Sequence, residues 1–310
     1  MATGFRRYRN EQSDVREVKC RRTHADDALV GDILGKRYRI LQKIGDGGVC
    51  NIYRAEDQKR KKEVAIKIEK ESRETESDEA TLMCCLDHPN IVRYLGDGKH
   101  EWKTYLVLEL LSGDNLHNML GDISWDESKD VLIQLCRALD AIHCAGIVHK
   151  DVKPTNVFVT HDGVVKLLDF GIAKRRSGVL IDKKVSGTPT YIAPEVASGA
   201  MYDHRVDIYG LGVMMYKLLC GIEPFVGDSL EEILIKSVHL DADPPSTRNP
   251  AVPSAIDRIV MKALAKFPGH RYSSAEELRQ ELEECREGLT RISILAAREE
   301  ETLDANARIA

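Results

Sequence analysis

The 310-residue sequence has little that would let metal ions or disulfides hold it together. Its eight cysteines, at positions 20, 50, 84, 85, 136, 144, 220 and 285, form no CxxC pair and have no partner histidines at zinc spacing. Neither a structural zinc site nor a disulfide framework is read from them, and a reducing, cytoplasmic setting is expected. No apolar run approaches the roughly 18 residues needed to cross a bilayer, and the start MATGFRRYRNEQSD lacks the apolar stretch of a signal peptide. A soluble chain without a membrane span is expected. The formal net charge of -5 leaves no basic surplus for nucleic acid. Internal repeats and low-complexity tracts are also missing. What is there, 43% hydrophobic and 31% charged residues over this length, suits one large two-lobed globular domain or two ordinary ones.

Residues 1–34 are polar and mixed in charge without periodicity, and are read as a flexible extension. From Arg37 onward, Tyr38, Ile40 and Ile44, then Ile52 and Tyr53, then Val64, Ala65, Ile66 and Ile68 form short β-rich runs separated by turn or charged residues, the pattern of an antiparallel sheet. Two more short strands, VFV and VVKLL, flank the turn His161, Asp162, Gly163. Most of the rest is helical. Val131, Leu132, Leu135, Leu139 and Ile142 keep helical spacing, and residues 208–219 are apolar nearly all round, as in a buried central helix. The chain is thus read as α+β, with a small β lobe over 35–111, a larger helical lobe over 112–285 and a helical tail over 286–310. Ala275, Leu278, Leu282, Cys285, Leu289 and Ile292 carry one apolar stripe into that tail. Packing of the stripe on the large lobe, in a monomer, is preferred to a tail-mediated dimer.

Three motifs carry chemistry. In IGDGGVCNIYRA, Gly45, Gly47 and Gly48 lie in a turn between two strands, where missing side chains let backbone N–H groups approach phosphate oxygens. One strand later comes Val64-Ala65-Ile66-Lys67, whose ammonium needs a carboxylate to fix its flexible stem. Glu79 is the candidate, on an expected helix whose Leu82, Met83 and Leu86 would face the core. The third motif runs from His149 to Asn156 as HKDVKPTN and is followed by Asp169-Phe170-Gly171. Phosphoryl transfer needs these parts together: Asp151 to orient an attacking hydroxyl and accept its proton, Lys153 to place positive charge beside the moving group, and Asn156 and Asp169 as hard oxygen ligands for Mg²⁺, with Mn²⁺ as a possible substitute.

On these residues the chain resembles the eukaryotic-type (Hanks-type) serine/threonine protein kinases, and most of all the bacterial members. The likeness runs from about Tyr38 to Cys285, through GTPTYIAPE (187–195), DIYGLGVMMYKLLCGIEPF from Asp207, and KFPGHRYSSAEEL ending at Leu278. It implies a two-lobed kinase fold, ATP as phosphoryl donor and protein substrates bearing serine or threonine. It also implies an adenine slot of Ile52, Ala65 and Phe158, with Ile44 nearby, the backbone of Glu109 and Leu111 at the ring's edge, and Leu108 as gatekeeper. Thr188 would hydrogen-bond the catalytic Asp151 and Lys153, and Glu195 would pair with Arg271. Three departures stand out: Cys50 at the third loop glycine, Lys150 where relatives carry Arg, and only twelve positions between Lys67 and Glu79. Alternatives of the same fold are a scaffold that has lost transfer and a kinase acting on small molecules. Residues 178–185 hold no Ser, Thr or Tyr, with Ser177 and Ser186 flanking them. Activity is therefore expected to depend only weakly on phosphorylation of this segment.

Overall fold

The computed structural model describes residues 29–70, 78–101, 103–175, 180–182 and 186–285. Chain contacts separate two units, the first of residues up to 87, 92–113 and 160–163, and the second of 88–91, 114–159 and 164 onward.

The first unit is a six-stranded antiparallel sheet. Its strands are β1 (Ile33–Leu34), β2 (Tyr38–Asp46), β3 (Cys50–Asp57), β4 (Lys62–Glu69), β5 (Tyr94–His100) and β6 (Lys103–Glu109), in the spatial order β1-β2-β3-β4-β6-β5. Alternation along these strands sends Tyr38, Ile40, Tyr53, Ala55, Val64, Ile66, Ile68, Tyr105 and Val107 into one apolar cluster. The expected extension over 1–34 ends earlier than its composition suggests. Ile33 and Leu34 pair with Arg39 and Tyr38, and the Leu34 side chain is fully buried in the same cluster. A two-residue strand is too short to show a period, so one buried leucine anchors a stretch that reads as polar. Residues 1–28 lie outside the described residues. Between β4 and β5, helix α1 (Glu79–Met83) buries Leu82 and Met83. It stops before Leu86, which is only half-buried, so the expected third core residue lies beyond the helix end.

In chain order the remaining elements are β7 (Gly113–Asn115), α2 (Leu116–Met119), α3 (Trp125–Cys144), β8 (Ile147–Val148), β9 (Val157–Thr160), β10 (Val165–Leu167), β11 (Lys174–Arg175), α4 (Pro194–Ala197), α5 (Arg205–Cys220), α6 (Leu230–His239), α7 (Pro245–Arg248), α8 (Ser254–Ala263) and α9 (Ala275–Glu284). Helix α3 starts at a reciprocal cap, in which Ser124 accepts from the Glu127 N–H and Glu127 accepts from the Ser124 N–H. Helix α5 is the expected central helix: every residue except Arg205 and Lys217 is buried. Its Gly212 lies so near α8 that a β-carbon there would come 2.9 Å from the β-carbon of Ala263. Gly221 closes α5 in the left-handed conformation, at φ 80°. On α9, Ala275, Leu278 and Leu282 are buried, and this helix packs on α3. Leu289 and Ile292, the far end of the apolar stripe, lie outside the described residues. No helix among the described residues is long and apolar enough to cross a membrane.

Candidate active site

In the first unit, strand register sets the positions. Lys67 on β4 stands opposite Ile52 of β3 and Leu106 of β6, while Ala65 faces Leu108 and Val64 faces Glu109. The Lys67 ammonium donates to both carboxylate oxygens of Glu79, at 2.7 and 2.9 Å, and the two side chains are only 10% and 8% exposed. Either charge alone would be costly at that burial, so each fixes the other. The glycine turn is closed by a hydrogen bond from the Gly47 N–H to the Cys50 carbonyl at 2.9 Å. A β-carbon on Gly47 would come 3.0 Å from that carbonyl, and one on Gly45 would come 3.2 Å from the Ile52 side chain, whereas Gly48 faces open space. Two of the three glycines thus sit where a β-carbon would be crowded by the hairpin itself. Ile44 is exposed, and Leu108, Glu109 and Leu111 are half-buried at and beyond the end of β6. The Glu109 N–H is committed to the Arg93 carbonyl at 3.0 Å.

The second unit gathers a different set around Asp151, which is 8% exposed. Its Oδ2 lies 2.7 Å from the Lys153 ammonium and accepts from the Asn156 amide at 2.9 Å. Its Oδ1 accepts from the Thr188 hydroxyl at 3.2 Å and the Thr188 N–H at 3.3 Å. Lys153 also donates to the Thr188 hydroxyl oxygen at 2.6 Å. The second Asn156 N–H reaches the Asp151 carbonyl at 2.9 Å, so the amide's oxygen is its remaining acceptor. Asp169 is exposed and holds the left-handed region at φ 60°, with its carboxylate accepting the Gly171 N–H at 3.1 Å. Phe158 lies half-buried on β9.

Sequence reasoning missed the residue beneath this loop. Asp207, in the first turn of α5, is almost fully enclosed and accepts the His149 N–H at 2.9 Å, the Lys150 N–H at 2.7 Å and a bond from His143 at 2.8 Å. Burial alone would raise its pKa, but the bond with His143 and the neighbouring donors outweigh this and hold the carboxyl below its ordinary range. Those bonds also stabilise Lys150 at φ 70°, a conformation that a lysine adopts at a cost of about 1–3 kcal/mol. His149 accepts the Asp151 N–H at Nδ1, 3.3 Å away, so its Nε2 carries the hydrogen that meets the Leu168 carbonyl at 2.9 Å. The ring also meets Phe170 edge to face, with centroids 4.9 Å apart. The one sequence signal for Asp207 is a carboxylate in the first turn of a helix that is apolar nearly all round.

Farther along the unit, Arg271 donates in parallel to both oxygens of Glu195, at 2.7 Å each. The guanidinium is fully buried, donates to the carbonyls of Ala265, Arg205 and Lys266, and stacks over the Tyr209 ring at 4.9 Å. This bidentate geometry is one that lysine could not supply.

As for a cation, no cluster of three or more His, Cys, Asp or Glu side chains is placed to hold one among the described residues. Asn156 and Asp169 offer one amide oxygen and one carboxylate. That sparse, hard-oxygen set fits an ion that keeps several waters and shares phosphate oxygens, and does not fit zinc.

Comparison with known proteins agrees with this arrangement. A family model described as protein kinase domain matches residues 38–282. The chain is 37% identical over 268 residues to serine/threonine-protein kinase PrkC of Bacillus subtilis, covering 82% of this chain and 41% of that protein. It is 34% identical over 273 residues to serine/threonine-protein kinase PknB of Mycolicibacterium smegmatis (82% and 44%), and 33% identical over 267 residues to PknB of Mycobacterium tuberculosis (80% and 43%). The chain therefore spans roughly two fifths of the length of these relatives. With the matched model extending from β2 into α9, the chain belongs to the protein kinase family.

Proposed function

We propose that this chain transfers the γ-phosphoryl group of ATP to serine or threonine hydroxyls of proteins, using Mg²⁺, with Mn²⁺ able to replace it. The observation that carries the reading is the Asp151 carboxylate, held by Lys153, Asn156 and Thr188 at once. A carboxylate fixed at both oxygens is prepared to orient an acceptor hydroxyl and take its proton as the oxygen attacks. Lys153 sets positive charge beside that point, where negative charge develops in the transition state. The Lys67–Glu79 pair gives an ammonium of fixed position for phosphate oxygens, and the turn of Gly45, Gly47 and Gly48, closed by the Gly47 N–H on the Cys50 carbonyl, lets the same anion approach the backbone closely. Ile44, Ile52, Ala65, Leu108, Leu111 and Phe158 are proposed to receive the adenine, with backbone atoms of Glu109 and Leu111 at its edge. A divalent ion bound by Asn156 and Asp169 would supply charge neutralisation at the phosphates.

A scaffold without transfer is the second reading, and the presence of Lys67, Glu79, Asp151, Asn156 and Asp169 together disfavours it. The proposed setting is a reducing cytoplasm, which suits the exposed thiols of Cys84, Cys85 and Cys144. The test is incubation with γ-labelled ATP, MgCl₂ and a generic basic protein, with Asp151→Asn as control and residue mapping of the product. Label on serine or threonine that the control lacks is expected. Equal labelling by the control, or label confined to small molecules, would refute the proposal.

A further inference from the structure

Lys150 stands where the resemblance leads one to expect Arg, and its surroundings are distinctive. The side chain is 2% exposed, so its ammonium requires an anion at contact distance. That anion is in the chain itself: the Asp182 carboxylate, 6% exposed, lies 2.6 Å from Lys150 Nζ. Lys174 of β11 donates to the other Asp182 oxygen. Two residues earlier, Leu180 is bridged to Tyr202 by a pair of backbone hydrogen bonds, at 3.0 and 3.3 Å, and the Tyr202 ring lies 5.7 Å from the Lys150 ammonium. Lys150 also donates to the Ser186 hydroxyl at 3.2 Å, two residues before Thr188 takes hold of Asp151. Burial disfavours the charged form of Asp182, but the Lys150 ammonium and the hydrogen bond from Lys174 overcome it and hold the carboxyl below its ordinary range.

Resting on the transferase reading above, we infer that Asp182 is a positioning residue for the reaction. It is a built-in counter-ion that joins Lys150 and Lys174 and, through the bond from Lys150 to Ser186, positions Thr188, with no phosphate required on this segment. The argument is one of substitution. A buried ammonium beside the catalytic loop attracts any anion presented by the segment, and a phosphoserine would meet that need only after modification. A carboxylate at residue 182 meets it permanently. Of the flanking hydroxyls, Ser177 lies outside the described residues, while Ser186 already accepts from Lys150 as a neutral group.

The experiment uses the whole chain, treated with phosphatase and then freed of it, and assayed for transfer to a basic protein at saturating MgATP. The treated parent should keep its rate within about twofold. Asp182→Asn should lose about tenfold or more in kcat while KM for ATP stays within about twofold, and Asp182→Glu should recover most of the rate. Adding Lys150→Met to Asp182→Asn should cost less than about twofold further, because the pair is already broken. If Asp182→Asn has no cooperative melting transition, Lys150→Met alone reads the same pair from its other side, with the same loss expected. An unaffected Asp182→Asn, multiplicative losses in the double variant, or a parent inactivated by phosphatase would overturn this inference alone. A parent that transfers nothing under any condition would overturn the transferase reading, and this inference with it.

Discussion

Asp207 gives one carboxylate to three donors, the ring of His143 and the N–H groups of His149 and Lys150. In Asp207→Asn one oxygen becomes a donor facing the N–H groups of His149 and Lys150, so one of them loses its acceptor. We expect a loss of about 1–3 kcal/mol in urea unfolding, together with a fall in kcat and little change in KM for ATP. Equal losses in both kinetic constants would contradict a role confined to the loop. For the residues around Asp151 the expected effects are larger. Asp151→Asn and Asp169→Ala should each reduce transfer at least ~100-fold with the fold intact, and Asp151→Asn should still bind ATP. A variant keeping more than about a tenth of the parent rate would remove that residue from its assigned role. The run from His149 to Asn156 is a dense local motif, and the structure brings its Asp151, Lys153 and Asn156 together. Asp207 and Asp182 were not legible, since their bonds to the Lys150 backbone and side chain span 57 and 32 positions and leave no spacing to read.

Elements were legible where a period had room to repeat. The β-rich runs of β2 to β4 and the nearly all-round apolarity of α5 belong to elements of eight or more residues, and the structure has strands and a buried helix there. Strand β1 fails the same reading because two residues cannot display a period, whereas α1 was legible from Leu82 and Met83 and fell short only at Leu86. Helix α9 shows how a boundary is fixed by chemistry instead. Ser274 accepts the Glu277 N–H at 3.1 Å, while Glu277 accepts from the Ser273 N–H and Lys262, at 2.7 and 2.8 Å. The Lys262 bond first, and the Ser273 N–H second, hold the Glu277 carboxyl at about 2, against an ordinary 4.5. A depressed carboxylate contributes stability that is fully present above its unfolded value and is lost as pH falls through the folded one. The parent should therefore lose stability between about pH 4.5 and pH 2 more steeply than Glu277→Gln, as followed by the thermal midpoint across that range. Parallel profiles would show that this cap carries no proton linkage.

For the whole molecule, the fold class and both ends of the Glu195–Arg271 pair were legible through family likeness, because each lies in a recognisable stretch. Their bidentate geometry and the three carbonyls around Arg271 were not. Removing one partner leaves the other charge buried, so Arg271→Met should cost about 3–5 kcal/mol. Adding Glu195→Gln should cost much less than a second independent loss, as a double-mutant cycle on unfolding free energies would show. Additive losses would mean that the two side chains do not depend on one another. The partners lie 76 residues apart, and Arg271 is the later of the two to be made. At about 5–20 residues per second of synthesis, Glu195 is added to the chain roughly 4–15 s before the Arg271 guanidinium exists. For that interval the nascent chain carries a carboxylate with no counter-charge, and the APE segment has no reason to bury it. Closure of this part of the protein is therefore a post-emergence event, timed by the appearance of residue 271 and open to chaperones until then.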